Sequence, residues 1–305
     1  MAKKTASTKT TSKRTAAKGD ASKKGARYLR ELLRVPPGEP VDLTAYDARA
    51  TPGAPGGKAA ALADGARTGK RLARLQERLW AAGTAGDRRR VLLVLQGMDT
   101  SGKGGTVKHV IGQLDPSGCR IEAFKAPTAQ ELEHDFLWRV RRVLPGPGEI
   151  GIFDRSHYED VLAARVRHLA VPAKIGSRYG RINDFERSLA EDGVTLVKCF
   201  LHLSYGEQGR RLLRRLDRPD KRWKFAPGDI DDRALWPAHR EAYETAMEHC
   251  SAPHAPWYLI PADRKWYRDW AVGRLLLEHL EAMDPRYPKG DFDVAACRER
   301  LLRET

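Results

Sequence analysis

The sequence predicts an α/β protein on a parallel sheet, and three observations carry that prediction. Short apolar runs at residues 91–95, 150–153, 194–201 and 257–260 have the length and composition of buried strands. They alternate with longer stretches whose apolar residues recur at helical spacing. After the first run stands Gly97-Met98-Asp99-Thr100-Ser101-Gly102-Lys103, a glycine-rich turn between strand and helix. Such an order covers a parallel sheet with helices on both faces, giving three layers in one α/β domain.

Residues 1–26 are a tail of Lys, Ala, Thr and Ser without apolar periodicity, expected to be disordered. It reads either as a solubilising arm or as a tether for polyanions, and its acid-poor composition also imitates an organellar transit peptide. Residues 27–305 form the folded domain. Up to about residue 57 the text is rich in Pro and Gly, as in a strap with little regular structure. A helix is predicted over 58–82, with Leu72, Leu75 and Leu79 on one face and Gly83 near its stop. The first strand at 91–95 leads through the glycine turn to a helix at 103–114. A strand at 120–125, a helix at 128–144, a strand at 150–153 and a helix at 157–169 follow. The strand at 194–201, a basic helix at 205–217 and a helix at 235–250 come next. A last strand at 257–260 and a closing helix at 264–283 complete the alternation.

The net charge is +15, of which residues 1–25 supply +7, with eight Lys or Arg against Asp20. The remaining +8 belongs to the folded part and implies an anionic ligand. No apolar run is long enough for a membrane span, and the start has no apolar signal core. Cys119, Cys199, Cys250 and Cys297 are widely spaced and form no CxxC pair. They suit reduced thiols in a cytoplasmic protein, not a zinc site or a disulfide frame.

The glycine turn fits G-x-x-x-x-G-K, whose backbone N–H groups and helix N-terminus face an anion while Lys103 adds a point charge. The usual next residue is Ser or Thr, a magnesium ligand; here Gly104 and Gly105 follow, and Thr106 is too far along to assume it substitutes. Asp99 offers a replacement oxygen, because an acid among phosphates makes electrostatic sense only with a cation between them. It could equally cap the helix or hold the loop. Asp154 stands at the carboxyl end of strand 150–153, where open α/β sheets carry their chemistry. With Arg155 beside it, the pair suits a Mg²⁺ ligand and a phosphate clamp. Further on, Arg210, Arg211, Arg214, Arg215, Arg218, Lys221, Arg222 and Lys224 fall within fifteen residues, beside Trp223 and Phe225. Behind such a loop, this density fits a lid at about 205–228 that closes over an anionic substrate.

These residues resemble the polyphosphate kinase 2 family. The resemblance is carried by Gly97 to Gly105, Phe153-Asp154-Arg155-Ser156-His157-Tyr158-Glu159-Asp160, Ile182-Asn183-Asp184-Phe185-Glu186 and Lys221-Arg222-Trp223-Lys224-Phe225, and it covers roughly residues 27–285. It implies a three-layer α/β/α P-loop kinase fold with a helical basic lid, and Mg²⁺-dependent phosphoryl transfer between inorganic polyphosphate and nucleotides. By position, Asp99 and Asp154 would hold the metal, and Lys103 and Arg155 the transferring phosphate. Arg211 and Arg215 would act from the lid, and Lys221 and Lys224 along the phosphate channel. Gly97, Gly102, Gly104, Gly105, Thr106 and Lys108 complete the phosphate- and nucleotide-binding set. Glu159 is similar to the residue of members that accept nucleoside monophosphates as well as diphosphates. Arg218 departs from the acid expected before Pro219. The resemblance also implies a dimer or tetramer, with no membrane and no specific nucleic acid as partner.

The acceptor in such a reaction is an ionised phosphate oxygen, so His109, His157 and His202 are not needed as bases. Two alternatives stand beside this expectation: an ATP-dependent nucleotide kinase, and a basic nucleic-acid-binding protein built on the same loop.

Overall fold

The computed structural model describes residues 28–304; the tail expected over residues 1–26 lies outside them. Five strands, β1 Arg90–Gln96, β2 Cys119–Ala123, β3 Ile150–Asp154, β4 Val194–His202 and β5 Trp257–Pro261, form one sheet in the order β2-β3-β1-β4-β5. Every neighbouring pair is parallel. β1 lies at the centre and is buried along its whole length, which is why its sequence is a continuous apolar run rather than an alternating one.

The strand period sorts that run between two cores. Val91, Leu93 and Leu95 join Val197, Cys199, Ile260 and the helices Lys58–Thr84 and Lys265–Met283 on one face. Leu92 and Val94 point the other way, with Phe153, Leu196, and Phe185 and Leu189 of the helix Pro172–Glu191. A third cluster, built round Tyr158, Phe200, Tyr243 and Trp257, packs the helix Trp236–Cys250 beside it. Each fully buried Leu adds about 1.5–3 kcal/mol, so the two-faced burial of β1 fixes its register against both neighbours.

All five expected strands are present, and the structure refines several helices. The helix expected over 128–144 is two short ones, Ala129–Leu132 and Trp138–Arg141. Thr128 and Glu131 close a capping box on the first, and Asp135 accepts the Leu137 N–H at the start of the second, so an apparently interior acid restarts the chain. The stretch 157–169 is likewise a 3₁₀ turn His157–Asp160, capped by Ser156, and a short helix Ala163–Val166. The helix after the glycine loop runs Lys103–His109 before tightening to 3₁₀ at Ile111–Gln113. Helices Pro172–Glu191, Gly228–Ala234 and Val294–Glu304 were not anticipated. Among the described residues, no helix is long and apolar enough to cross a membrane.

Behind the sheet lies a buried charged group. Lys198, in the middle of β4, donates from Nζ to Glu186 Oε2 (2.5 Å), Tyr158 Oη (2.8 Å) and the Cys250 carbonyl (2.7 Å). Glu186 also accepts from Tyr158 Oη (2.9 Å) and meets His157 Nε2 at 3.2 Å. Burial works against the Glu186 charge, but Lys198 and His157 outweigh it and hold its carboxyl below the ordinary value. The cluster ties β4, the turn after β3 and two helices together. Replacing Glu186 with Gln leaves the Lys198 ammonium buried without a counter-charge and is expected to cost about 3–5 kcal/mol in urea unfolding. Because the Glu186 pKa is depressed on folding, its contribution is complete above the ordinary glutamate value of 4.5. That contribution is lost as pH falls through the lower folded value, and the Glu186→Gln protein should lack this acid-side component.

Candidate functional site

The site forms at the carboxyl ends of the central strands, where the chain leaves β1 into the glycine loop and β3 into the turn that carries Asp154 and Arg155. Pairing sets Leu95 opposite Asp154 and opposite Cys199, so the loop, the acid and the end of β4 emerge side by side. Two non-glycine residues here are left-handed, Thr100 (φ 60°) in the loop and Arg155 (φ 66°) just after Asp154. Such conformations are held by their surroundings and concentrate where a side chain must be aimed. Arg155 is fixed by its N–H, which donates to the Leu95 carbonyl (3.0 Å), and its exposed guanidinium donates to no group among the described residues.

Lys103 opens its helix, lies buried, and donates to the Gly97 carbonyl across the loop (2.9 Å). Burial lowers its pKa, with Arg155 adding to the effect and Asp154, Asp99 and Glu159 opposing it. A buried hydrogen-bond chain sets the start of the loop. The Gly97 N–H donates to Tyr243 Oη (3.2 Å), and Tyr243 Oη donates to Gln96 Oε1 (3.4 Å). Gln96 Nε2 then donates to Ser156 Oγ (3.2 Å), which also accepts the Tyr158 N–H. The chain joins the loop after β1 to the turn after β3 through a tyrosine from a distant helix.

Two cavities meet here. One, of about 820 Å³, is lined by the loop from Asp99 to Gly105, by Lys108, Asp154 and Arg155, and by the basic segment from Arg211 to Lys224. Twelve basic side chains face it against three acids, Asp99, Asp154 and Asp269. The other, of about 460 Å³, is lined by Met98, Phe124, Leu162, Trp236 and Tyr243 with Glu159, Asp160 and Asp232. Asp99 and Arg155 belong to both walls.

The positions singled out in the sequence occupy these walls in different ways. Asp154 is half-buried, and its carboxylate accepts from no donor among the described residues. Asp99 Oδ2 accepts from Arg215 Nη1 (3.1 Å), which also reaches the Lys224 carbonyl (3.0 Å) and Asp229 Oδ2 (3.4 Å). Arg211 is engaged elsewhere. Its five N–H groups go to Glu207 Oε1 and to the carbonyls of Thr100, Ser101, Ala262 and Asp263, at 2.7–3.1 Å. It stands as a strut between the helix Tyr205–Asp217, the loop and the end of β5. Thr106 is turned inward, its hydroxyl 3.3 Å from Asp269 Oδ1 and its N–H bonded to the Gly102 carbonyl. Gly97 and Glu159 line the smaller cavity, and Gly102, Gly104, Gly105, Lys108, Lys221 and Lys224 the larger one. Sequence reasoning did not single out Gln96, Tyr243, Lys265, Arg268 or Asp269. A glutamine closing an apolar strand was a signal; the other four come from the chain's last third and carry no local motif.

A family model for polyphosphate kinase 2 (PPK2) matches residues 59–288. The chain belongs to the polyphosphate kinase 2 family. An AMP/ADP-polyphosphate phosphotransferase of Meiothermus ruber is 48% identical over 256 residues, 84% of this chain and 94% of that protein. An ADP-polyphosphate phosphotransferase of Rhodopseudomonas palustris is 40% identical, over 77% of this chain and 83% of its own. The crystal structure of polyphosphate kinase 2 from Arthrobacter aurescens TC1 superposes with a TM-score of 0.88 at 48% identity. It covers 92% of this chain and 98% of that one.

Replacing Tyr243 with Phe strips the Gly97 N–H of its buried acceptor. The expected cost is about 1–3 kcal/mol in chemical denaturation.

Proposed function

We propose that the protein transfers phosphoryl groups reversibly between inorganic polyphosphate and nucleotides, taking nucleoside monophosphates and diphosphates as acceptors in the cytoplasm. One observation carries the reading: a long basic channel and a smaller, partly apolar cavity converge on Asp99 and Arg155. Polyphosphate suits the channel, because a chain of charged phosphates neutralises the cations crowded along it. A base and ribose suit the smaller cavity, with its aromatic walls and scattered acids. The likeness to an AMP/ADP-polyphosphate phosphotransferase supports the double acceptor range, and Glu159 on the wall of the smaller cavity agrees with it.

The donor set fits Mg²⁺. Asp154 offers a carboxylate that no hydrogen-bond donor among the described residues claims, and Asp99 lies on the same cavity wall. Among the described residues, no group of three or more His, Cys, Asp or Glu encloses a metal, so two carboxylates would leave the rest of the shell to phosphate and water. Bound there, Mg²⁺ would neutralise charge on the phosphates during transfer. Holding the cation would draw Asp99 away from Arg215, leaving that guanidinium for the phosphate chain. Lys103 holds a fixed positive charge beside the loop N–H groups, and Arg155 reaches both cavities at their junction. The segment from Tyr205 to Ala234 carries Arg214, Arg215, Lys221 and Lys224 and acts as the lid over the channel. The acceptor phosphate is already ionised, so alignment and charge neutralisation supply the catalysis.

With polyphosphate and Mg²⁺, chromatography should show ADP formed from AMP and ATP formed from ADP. Product from ATP as donor, with none from polyphosphate, would overturn the reading. Asp99→Ala, Lys103→Ala and Asp154→Ala should each cost about 100-fold or more in kcat while keeping the wild-type melting curve. Because burial lowers the Lys103 pKa in the free protein, the alkaline limb of kcat/KM should fall below 10.5, the ordinary lysine value. Bound phosphate favours the charged form, so the limb of kcat should lie higher.

A further inference from the structure

The phosphate loop departs from the usual pattern by placing Gly104 and Gly105 after its lysine, and the structure supplies a reason for the second glycine. Beneath the loop lies Arg268, on the helix Lys265–Met283, 2% exposed and part of the wall of the basic cavity. Its Nη1 donates to the Ser101 carbonyl (3.2 Å), while Nε and Nη2 donate to Asp269 Oδ1 (2.9 and 2.7 Å). A Cβ added at Gly102 would stand 1.6 Å from Nη1, and one at Gly105 would stand 2.9 Å from Nη2. At Gly104 an added Cβ meets nothing within 4 Å. Gly102 and Gly105 therefore form a notch that admits one guanidinium. Gly102 also adopts φ 107°, which side-chain-bearing residues avoid.

We propose that Arg268 is a positioning residue for phosphoryl transfer. In a planar trans peptide the carbonyl and the following N–H point in opposite directions. Drawing the Ser101 carbonyl down onto Arg268 turns the Gly102 N–H away from the core, toward the side of the loop where the phosphate lies. Arg211 Nη1 holds the same carbonyl (3.1 Å), so two guanidinium groups fix this peptide plane. Asp269 completes the clamp from the far side of the notch, holding Arg268 and meeting the Thr106 hydroxyl at 3.3 Å. A planar fork spreads its donors over three nitrogens and so reaches the Ser101 carbonyl and Asp269 from different atoms, whereas an ammonium donates from one atom only. The guanidinium also places a second positive charge beneath the loop, in addition to Lys103. This role rests on the reading of the loop as a phosphate cradle.

The test is steady-state transfer from polyphosphate to ADP in the full chain, comparing wild type, Arg268→Lys and Arg268→Ala with and without added guanidinium at non-denaturing concentration. Arg268→Ala should lower kcat and kcat/KM together by about 100-fold, with KM for ADP near the wild-type value, as for loss of an interaction made in the transition state. Guanidinium should restore at least tenfold by refilling the notch, and Arg268→Lys should remain low. Wild-type rates in Arg268→Ala, or full activity in Arg268→Lys, would overturn the proposal. So would a low rate that guanidinium leaves unchanged in a protein with the wild-type melting curve. If Arg268→Ala does not fold, Gly105→Ala moves the guanidinium without removing it and should lower kcat in the same manner; an unchanged kcat there counts against the proposal. A wild-type protein that transfers nothing from polyphosphate sinks the functional reading instead. The loop geometry is then judged by calorimetric polyphosphate affinity in the same variants, where equal affinities overturn it.

Discussion

Burial of β1 on both faces and both edges is the constraint from which the rest of the site follows. A strand with apolar side chains above and below cannot slip by one residue without exchanging its two cores, so its register against β3 and β4 is unique. That register places Leu95 beside Asp154, and the chain leaves β1 one residue later into the phosphate loop. The distance between loop and acid is therefore set by the packing of leucines and valines that touch no substrate. Short parallel strands ending together produce a line of N–H groups and side chains that loops alone could not hold in place.

The second constraint is electrostatic. A cleft faced by twelve cations and three acids destabilises the protein by self-repulsion until an anion enters. The structure manages this by giving its arginines different work. Arg211 and Arg268 are buried and bonded to carbonyls and acids of their own chain, where they shape the loop. Arg155 and Arg214 donate to no group among the described residues, and both line the cleft. Arg215 stands between these states, half-buried and held by Asp99 and Asp229. A single residue type thus takes three different environments around one cleft, and only burial and partners tell the three apart.

Much was legible in the sequence because it rested on short-range pattern. Four of the five strands appear as apolar runs, and the loop appears as glycines and a lysine between strand and helix. Asp154 was found by its position at a strand end. Arg211 shows the limit: its place in a basic run predicts a phosphate contact, yet all five donors are used within the fold. The helix Pro172–Glu191 was missed although Ile175, Tyr179, Ile182, Phe185 and Leu189 recur at helical spacing, because charged residues dilute that stripe.

What the sequence by itself determined is the set of local decisions: which segments are strands, where the phosphate loop lies, and which acid follows a strand end. Those depend on neighbours within a few residues, and the side-chain period records them directly. The tertiary structure alone decided which distant residues serve the loop. Tyr243 hydrogen-bonds Gly97 across 146 positions, and Arg268 fills a notch at Gly102 and Gly105 with its bond to Ser101 spanning 167. Such partners carry no local signature, because their role arises from the crossing of helices over the sheet and not from the text on either side of them.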